Sequence, residues 1–292
     1  MAETQAVAAP APGRLARLAG RRRLPIPARV AGIVVLILIV VAILAPLLAP
    51  DDPVQGDLAD RLLPIGSPGH LFGTDGQGRD MLSRLIYGAR PSLLAGMVPV
   101  LVAGLIGGAL GLVAGLAPGG VHSAIMRTLD VLYAFPAVLL AIAIAAALGS
   151  GISNSIIALS VILIPPIARV TESETVRIRS ADFMEAARSS GARSVSIALR
   201  QVLPNVAPAV VVYSTALVGL SLVYAAGLSY LGLGVSPPLA EWGVMVSDLQ
   251  KYLFTAPALL LVPAMAILVA SVAFNVLGDG LRDYFNVRTD VR

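Results

Sequence analysis

Residues 131–168 read VLYAFPAVLLAIAIAAALGSGISNSIIALSVILIPPIA, without one Asp, Glu, Lys or Arg. A helix crosses the hydrocarbon core of a bilayer in about 20 apolar residues, so this stretch is too long for a single crossing. It breaks at Gly149-Ser150-Gly151, a turn signal, which predicts two helices joined by a tight turn. Outward from it, charge-free runs cover Val30–Pro50, Pro91–Met126, Gln201–Ala240 and Tyr252–Gly278. The pattern predicts an all-α, polytopic membrane protein with six transmembrane helices, at roughly 30–49, 92–117, 125–148, 153–170, 205–232 and 255–278.

Composition agrees. Hydrophobic residues make up 57% of the 292-residue chain and charged residues 13%, about half the share that keeps a soluble domain wet. The absence of cysteine excludes disulfides, thiolate metal sites and cysteine nucleophiles. His70 and His122 stand far apart in sequence, so no multi-histidine metal site is expected.

The net charge of +4 raises the question of nucleic acid, and its placement answers it. With the N-terminus inside, sixteen basic residues fall on the cytoplasmic side: the tail from Arg14 to Arg29, Arg127, the 169–200 loop, and Arg282, Arg288 and Arg292. Five fall on the other side: Arg61, Arg79, Arg84, Arg90 and Lys251. By the positive-inside bias both termini are cytoplasmic, and no nucleic-acid partner is needed. Arg21-Arg22-Arg23 before an apolar run and Leu47-Leu48-Ala49-Pro50 superficially match a signal peptide. That run is nearer 20 residues than the roughly 7–15 of a signal h-region, and proline follows the would-be cleavage site, so an uncleaved anchor is expected. The first dozen residues, rich in Ala and Pro, read as disordered.

The spans also exclude mechanisms. Ion-coupled carriers usually keep an ionisable residue inside the bilayer. The middles of all six predicted spans lack one, and Asp130 falls near a cytoplasmic end beside Arg127. A stand-alone carrier is disfavoured, and so is an intramembrane enzyme, which needs clustered nucleophile, base or metal ligands. ATP chemistry within this chain fails too. A P-loop needs G-x-x-x-x-G-K-[ST], whereas the one lysine, Lys251, lacks the preceding glycines and is followed by Tyr252. No cofactor is expected here, and any ATP is bound by partner subunits.

The longest cytoplasmic loop, 169–205, reads as structured. Asp182 and Glu185 form a D-x-x-E pattern suited to capping and boxing a helix start. Phe183, Ala186 and Ala187 share its apolar side. Gly191 fits a left-handed helix-ending position. A second helix opens at Ser194 and runs through Leu199, with Pro204 as its stop. The expectation is a short helix–turn–helix at the membrane surface, shaped to fit a groove on a partner.

Glu185-Ala186-Ala187-Arg188-Ser189-Ser190-Gly191, followed by Ile197, Leu203, Pro204 and Asn205, resembles the EAA loop of binding-protein-dependent ABC importer permeases. The resemblance implies a coupling helix that docks on a separate ATPase subunit, with Asp182, Glu185, Ala186, Ala187, Arg188, Gly191, Ile197 and Pro204 as its residues. It also implies the MetI-like fold of type I ABC importer permeases, in a bacterial inner membrane. The implied partners are a second, homologous permease, two ATPases and an extracytoplasmic solute-binding protein.

Further segments are similar to the dipeptide/oligopeptide (nickel) branch and its C-type subunit. They are His70-Leu71-Phe72-Gly73-Thr74-Asp75, Gly78-Arg79-Asp80, Ser83-Arg84, Tyr87-Gly88-Ala89-Arg90, Glu241-Trp242-Gly243 and Gly278-Asp279-Gly280-Leu281-Arg282-Asp283. Gln201 stands where the branch usually has His, Glu172 where a second Arg is common, and Asn286-Val287 where Asp-Pro is usual. The implied cargo is a dipeptide or oligopeptide, with glutathione and nickel chelates open for the same branch.

The chain therefore divides into a cytoplasmic tail (1–29), an anchor helix with the start of an external loop (30–72), an external amphipathic segment (73–90), a permease core (91–281) containing the coupling loop, and a cytoplasmic tail (282–292). Within 73–90, Leu82, Leu85, Ile86 and Ala89 share one face and Asp80 and Arg84 sit at i,i+4, suiting a helix on the outer membrane surface. Gly104, Gly107, Gly108, Gly111 and Gly115 repeat GxxxG spacing, which lets helices approach closely. Whether that packing lies within the subunit or against a second permease is open. Pro136 and Pro165-Pro166 are candidate kinks. Trp242, the one tryptophan, reads as an interfacial anchor. By resemblance, Glu241, Trp242 and Gly243 lie near the external mouth or a docked binding protein.

Overall fold

The computed structural model describes residues 24–286, and those residues form an all-helical bundle without named strands. The 1–23 part of the N-terminal tail, including Arg21–Arg23, lies outside the described residues, as do Val287, Arg288 and Arg292. Five helices are long and apolar enough to cross a membrane, and a sixth crossing exists if one bent pair is counted together.

The first is α1 (Ile26–Ile43), extended by the single turn α2 (Ala45–Leu48). Arg90 donates to the carbonyls of Ala42 at 2.6 Å and Ile43 at 2.9 Å, so a cation satisfies the open C-terminal end of α1.

Residues 73–90 do not form a separate surface helix. Helix α3 runs unbroken from Met81 to Leu116, and Pro91 sits inside it. Asp80 does not pair with Arg84 but caps the helix, its Oδ2 accepting from the Ser83 N–H at 2.7 Å. Arg84 turns to Asp75 at 3.4 Å and to the Pro53 carbonyl at 2.9 Å. Asp75 also takes Arg79 at 2.7 Å, and Arg79 reaches Asp248 at 3.4 Å. Asp75, Arg79, Asp80 and Arg84 are all buried, which charged groups tolerate only when paired. This network clamps the external segment onto the bundle, and burying it draws the start of α3 into one continuous rod.

The third predicted span, 125–148, is not one helix. It is α4 (Gly119–Tyr133) and α5 (Ala137–Leu148), bent by 87° at the break. Pro136 has no N–H and its ring disfavours helical backbone at Phe135, so the helix stops there. Asp130 pairs with Arg169 of the next helix rather than with Arg127.

That helix, α6 (Ile152–Arg179), carries both Pro165 and Pro166 and continues nine residues beyond the predicted span end at 170. It packs most extensively against α3. A Cβ on Gly107 would lie 2.7 Å from the Ile164 carbonyl, and one on Gly115 would lie 2.6 Å from Thr175. Gly111 faces Ala168 and Thr171 in the same way. The 107/111/115 stripe therefore packs within the subunit, whereas Gly108 has open space before it.

Helices α7 (Asp182–Ser189) and α8 (Ser194–Ile197) follow, and a π turn at Ala198–Val202 leads into α9 (Leu203–Tyr230). After the short α10 (Trp242–Gln250), α11 runs from Pro257 to Asn286, so Arg282 and Asp283 continue the last span instead of starting a tail.

Candidate functional site

The 169–205 region is less a loop than a short turn of chain between two long helices. Because α6 reaches Arg179 and helical backbone resumes at Ser194, α7 projects at the junction. Asp182 is the first helical residue rather than the N-cap, so Asp182 and Glu185 both lie in the first turn, where carboxylates complement the partial positive charge of the helix end. Both are exposed, and Ala186 and Arg188 follow them on α7.

The far end is closed by Gly191, whose φ is +79°. The Ala192 N–H donates to the Ala187 carbonyl at 3.3 Å. This six-to-one bond around a left-handed residue is the Schellman arrangement. Ser190 Oγ donates to the same carbonyl at 2.8 Å.

A small separate core seats the helix. Met184 is fully buried with Ile178, Ile197, Val202 and Val206, and Leu112, Leu116 and Ala187 pack around them. Arg179 adds a bond to the Gly115 carbonyl at 3.3 Å. The predicted apolar side was only partly correct. Ala187 faces inward, but Phe183 is 43% exposed and borders a cavity of about 750 Å³ between α6, α7, α9 and α11. Met184 and Ala187 are spaced i,i+3, which could have marked the inward face. Val202 and Val206 join only through the tertiary fold.

Pro204 does not end a helix. It lies at the start of α9, directly after the π turn, where the change of hydrogen-bond spacing accommodates a residue without an N–H. The Asn205 amide donates to the Gln201 carbonyl at 2.6 Å, bridging the π turn. Ile197 and Pro204 thus belong to one helical path from Ser194 to Tyr230, interrupted only in its hydrogen-bond spacing.

Glu241, Trp242 and Gly243 have a different place from that expected. Glu241 and Trp242 are each 2% exposed and Gly243 is buried, so they face neither lipid nor a docked protein. Glu241 caps α10, its two oxygens accepting from the Gly243 and Val244 N–H groups at 3.0 Å each. The Trp242 indole donates to the Leu85 carbonyl at 3.0 Å. A Cβ on Gly243 would lie 2.5 Å from the Ala226 carbonyl. An acidic cap before a short amphipathic helix buries this motif between α3 and α9.

The described residues thus form an all-helical bundle of membrane-length helices, with a short helix at the joint of two long spans whose acidic first turn is exposed. Structural neighbours share the fold. An inward-facing structure of the MetNI methionine ABC transporter superposes with TM-score 0.59, covering 70% of this chain and 97% of that chain at 19% identity. An amino acid ABC transporter with histidines gives TM-score 0.54, covering 70% and 94% at 17% identity. This is the fold of type I ABC importer permeases.

Residues 107–291 match the family of binding-protein-dependent transport system inner membrane components, and residues 27–64 match the N-terminal TM domain of oligopeptide transport permease C. The chain is 43% identical over 253 residues to the glutathione transport system permease protein GsiD of Pectobacterium atrosepticum, covering 87% of this chain and 84% of that protein. It is 45% identical over 256 residues to GsiD of Shigella boydii, covering 88% and 84%.

The chain belongs to the binding-protein-dependent transport system inner membrane component family, in its peptide-type branch. It is a multi-pass inner-membrane protein of bacteria and a non-catalytic subunit of an ABC importer, working with ATPase and binding-protein partners.

Proposed function

We propose that this chain and a second, homologous permease form the path by which glutathione or another short peptide enters the bacterial cell. A binding protein delivers the solute at the outer face. Two ATPase subunits, which hold all the ATP, dock at the cytoplasmic face, where both termini of this chain also lie. Helix α7 is the docking element: Asp182, Glu185 and Gly191 set its length and polarity, and Ile197 and Pro204 fix its exit into α9.

The observation that carries this reading is the seating of α7. Met184 anchors it to the ends of α3, α6 and α9, while its acidic first turn stays exposed. A helix packed on one side and free on the other transmits a partner's motion as a tilt rather than absorbing it. The likeness to GsiD supports glutathione as cargo.

The test is uptake in proteoliposomes holding both permeases, both ATPases and the binding protein. Labelled glutathione, a dipeptide, an oligopeptide and nickel are compared. ATP-dependent glutathione uptake that requires this chain is expected. Uptake by this chain alone, without ATPases, would overturn the proposal.

A further inference from the structure

Beside the 87° bend between α4 and α5 lies a cavity of about 280 Å³, near the lower end of volumes that hold small ligands. Tyr133 and Phe135 border it from the bend, Pro166 from α6, and Tyr213 and Tyr224 from α9. Helix α5 rises only roughly 18 Å between the Gly149–Gly151 turn and the break, less than a hydrocarbon core of about 30 Å, so a turn at the outer membrane surface puts the bend at membrane depth. Tyr133 is 57% and Phe135 56% exposed there. Non-helical backbone at such depth is tolerated only against protein or a water-filled path, not against lipid.

Helix α4 is lightly held. Leu129 is its one buried residue, and Arg169 grips it from α6. Arg169 pairs with Asp130 and places its guanidinium 5.6 Å from the Tyr133 ring centroid. The same α6 runs on without interruption to Arg179, three residues before α7 begins. A tilt of α7 therefore reaches the bend through one rigid rod.

Resting on the importer reading above, we propose that this cleft is part of the wall of the solute path. Its lining of aromatic, aliphatic and proline side chains contacts the apolar parts of a passing short peptide and leaves the charged termini in water. We assign Arg169 as a positioning residue that ties the bend to the coupling helix.

The chain has no cysteine, so single replacements report cleanly. In the assembled transporter, Phe135→Cys and Tyr213→Cys are expected to react with a membrane-impermeant thiol reagent. Leu105→Cys, at a position of α3 that is 76% exposed toward the lipid-facing surface, is expected to stay unlabelled. ATP with vanadate should change the Phe135→Cys rate roughly tenfold, as for a shift between two populated states. Arg169→Ala should abolish that change, and Asp130→Arg combined with Arg169→Asp should restore it.

Labelling of both cleft positions no faster than Leu105→Cys, in every nucleotide state, overturns the cleft. A nucleotide response that survives Arg169→Ala overturns the role of Arg169. Uptake by the parent transporter is scored separately, and its absence overturns the importer reading instead.

Discussion

Ser92 of α3 donates its hydroxyl to Glu241 Oε1 at 2.8 Å, and both residues are buried. The same Ser92 oxygen accepts from the Trp242 N–H at 3.1 Å. One hydroxyl thus ties the N-terminus of α10 to the middle of a helix about 150 positions away in sequence. Because the Glu241 carboxylate accepts every bond it makes here, Glu241→Gln would turn an amide N–H₂ toward a donor. The expected loss is about 1–3 kcal/mol, the cost of an unsatisfied buried donor. It is read as a lower unfolding temperature in detergent, with Ser92→Ala milder. Unchanged unfolding in Glu241→Gln would show that the cap does not hold α10.

Gly191 has open space around its Cα but a φ of +79°, so any cost of replacing it is conformational. Gly191→Val and Glu185→Ala are expected to abolish uptake while the chain still reaches the membrane. Gly191→Asn should retain more uptake, because Asn tolerates the left-handed region better than a β-branched residue. Equal uptake by wild type and the Gly191→Val/Glu185→Ala double variant, with normal ATPase binding, would remove the docking role.

Met184→Ala empties the small core beneath α7. Burial of this kind costs about 2–5 kcal/mol when lost, concentrated in a segment held by few other contacts. Hydrogen exchange across 182–200 should speed up while the main bundle stays protected. ATP hydrolysis should continue with uptake reduced. Phe183→Ala should leave exchange nearly unchanged.

The two faces of α3 should separate sharply. Gly111→Val meets the Ala168 backbone and Thr171, and low membrane abundance is expected. Gly108→Val meets nothing within 4 Å and should accumulate normally. If the open face receives the second permease, Gly108→Val will weaken co-purification of the pair, and normal recovery would place that interface elsewhere.

Much of this architecture could be read locally. Long charge-free runs demand lipid, Gly149-Ser150-Gly151 splits one that is too long for a single crossing, and Gly191 ends α7 in the conformation a glycine permits. These follow from solvation and backbone sterics, which act on neighbouring residues and leave a mark in the order of amino acids. The inward face of α7 left a fainter mark, the i,i+3 spacing of Met184 and Ala187, which competes with the adjacent apolar Phe183. The packing of Ile178, Val202 and Val206 around Met184 decides between them.

The same distinction separates the spans from the clamps between them. Sequence by itself determined a polytopic helical membrane protein without a P-loop motif, because hydrophobic length and the absence of that motif are properties of the chain. Tertiary structure decided that Arg84 turns to Asp75 instead of Asp80, that Glu241 and Trp242 are buried rather than presented, and that Asp130 of α4 pairs with Arg169 of α6. The buried bonds of Glu241 with Ser92 and of Trp242 with the Leu85 carbonyl join groups about 150 positions apart, and such partners meet only when the helices pack and exclude water.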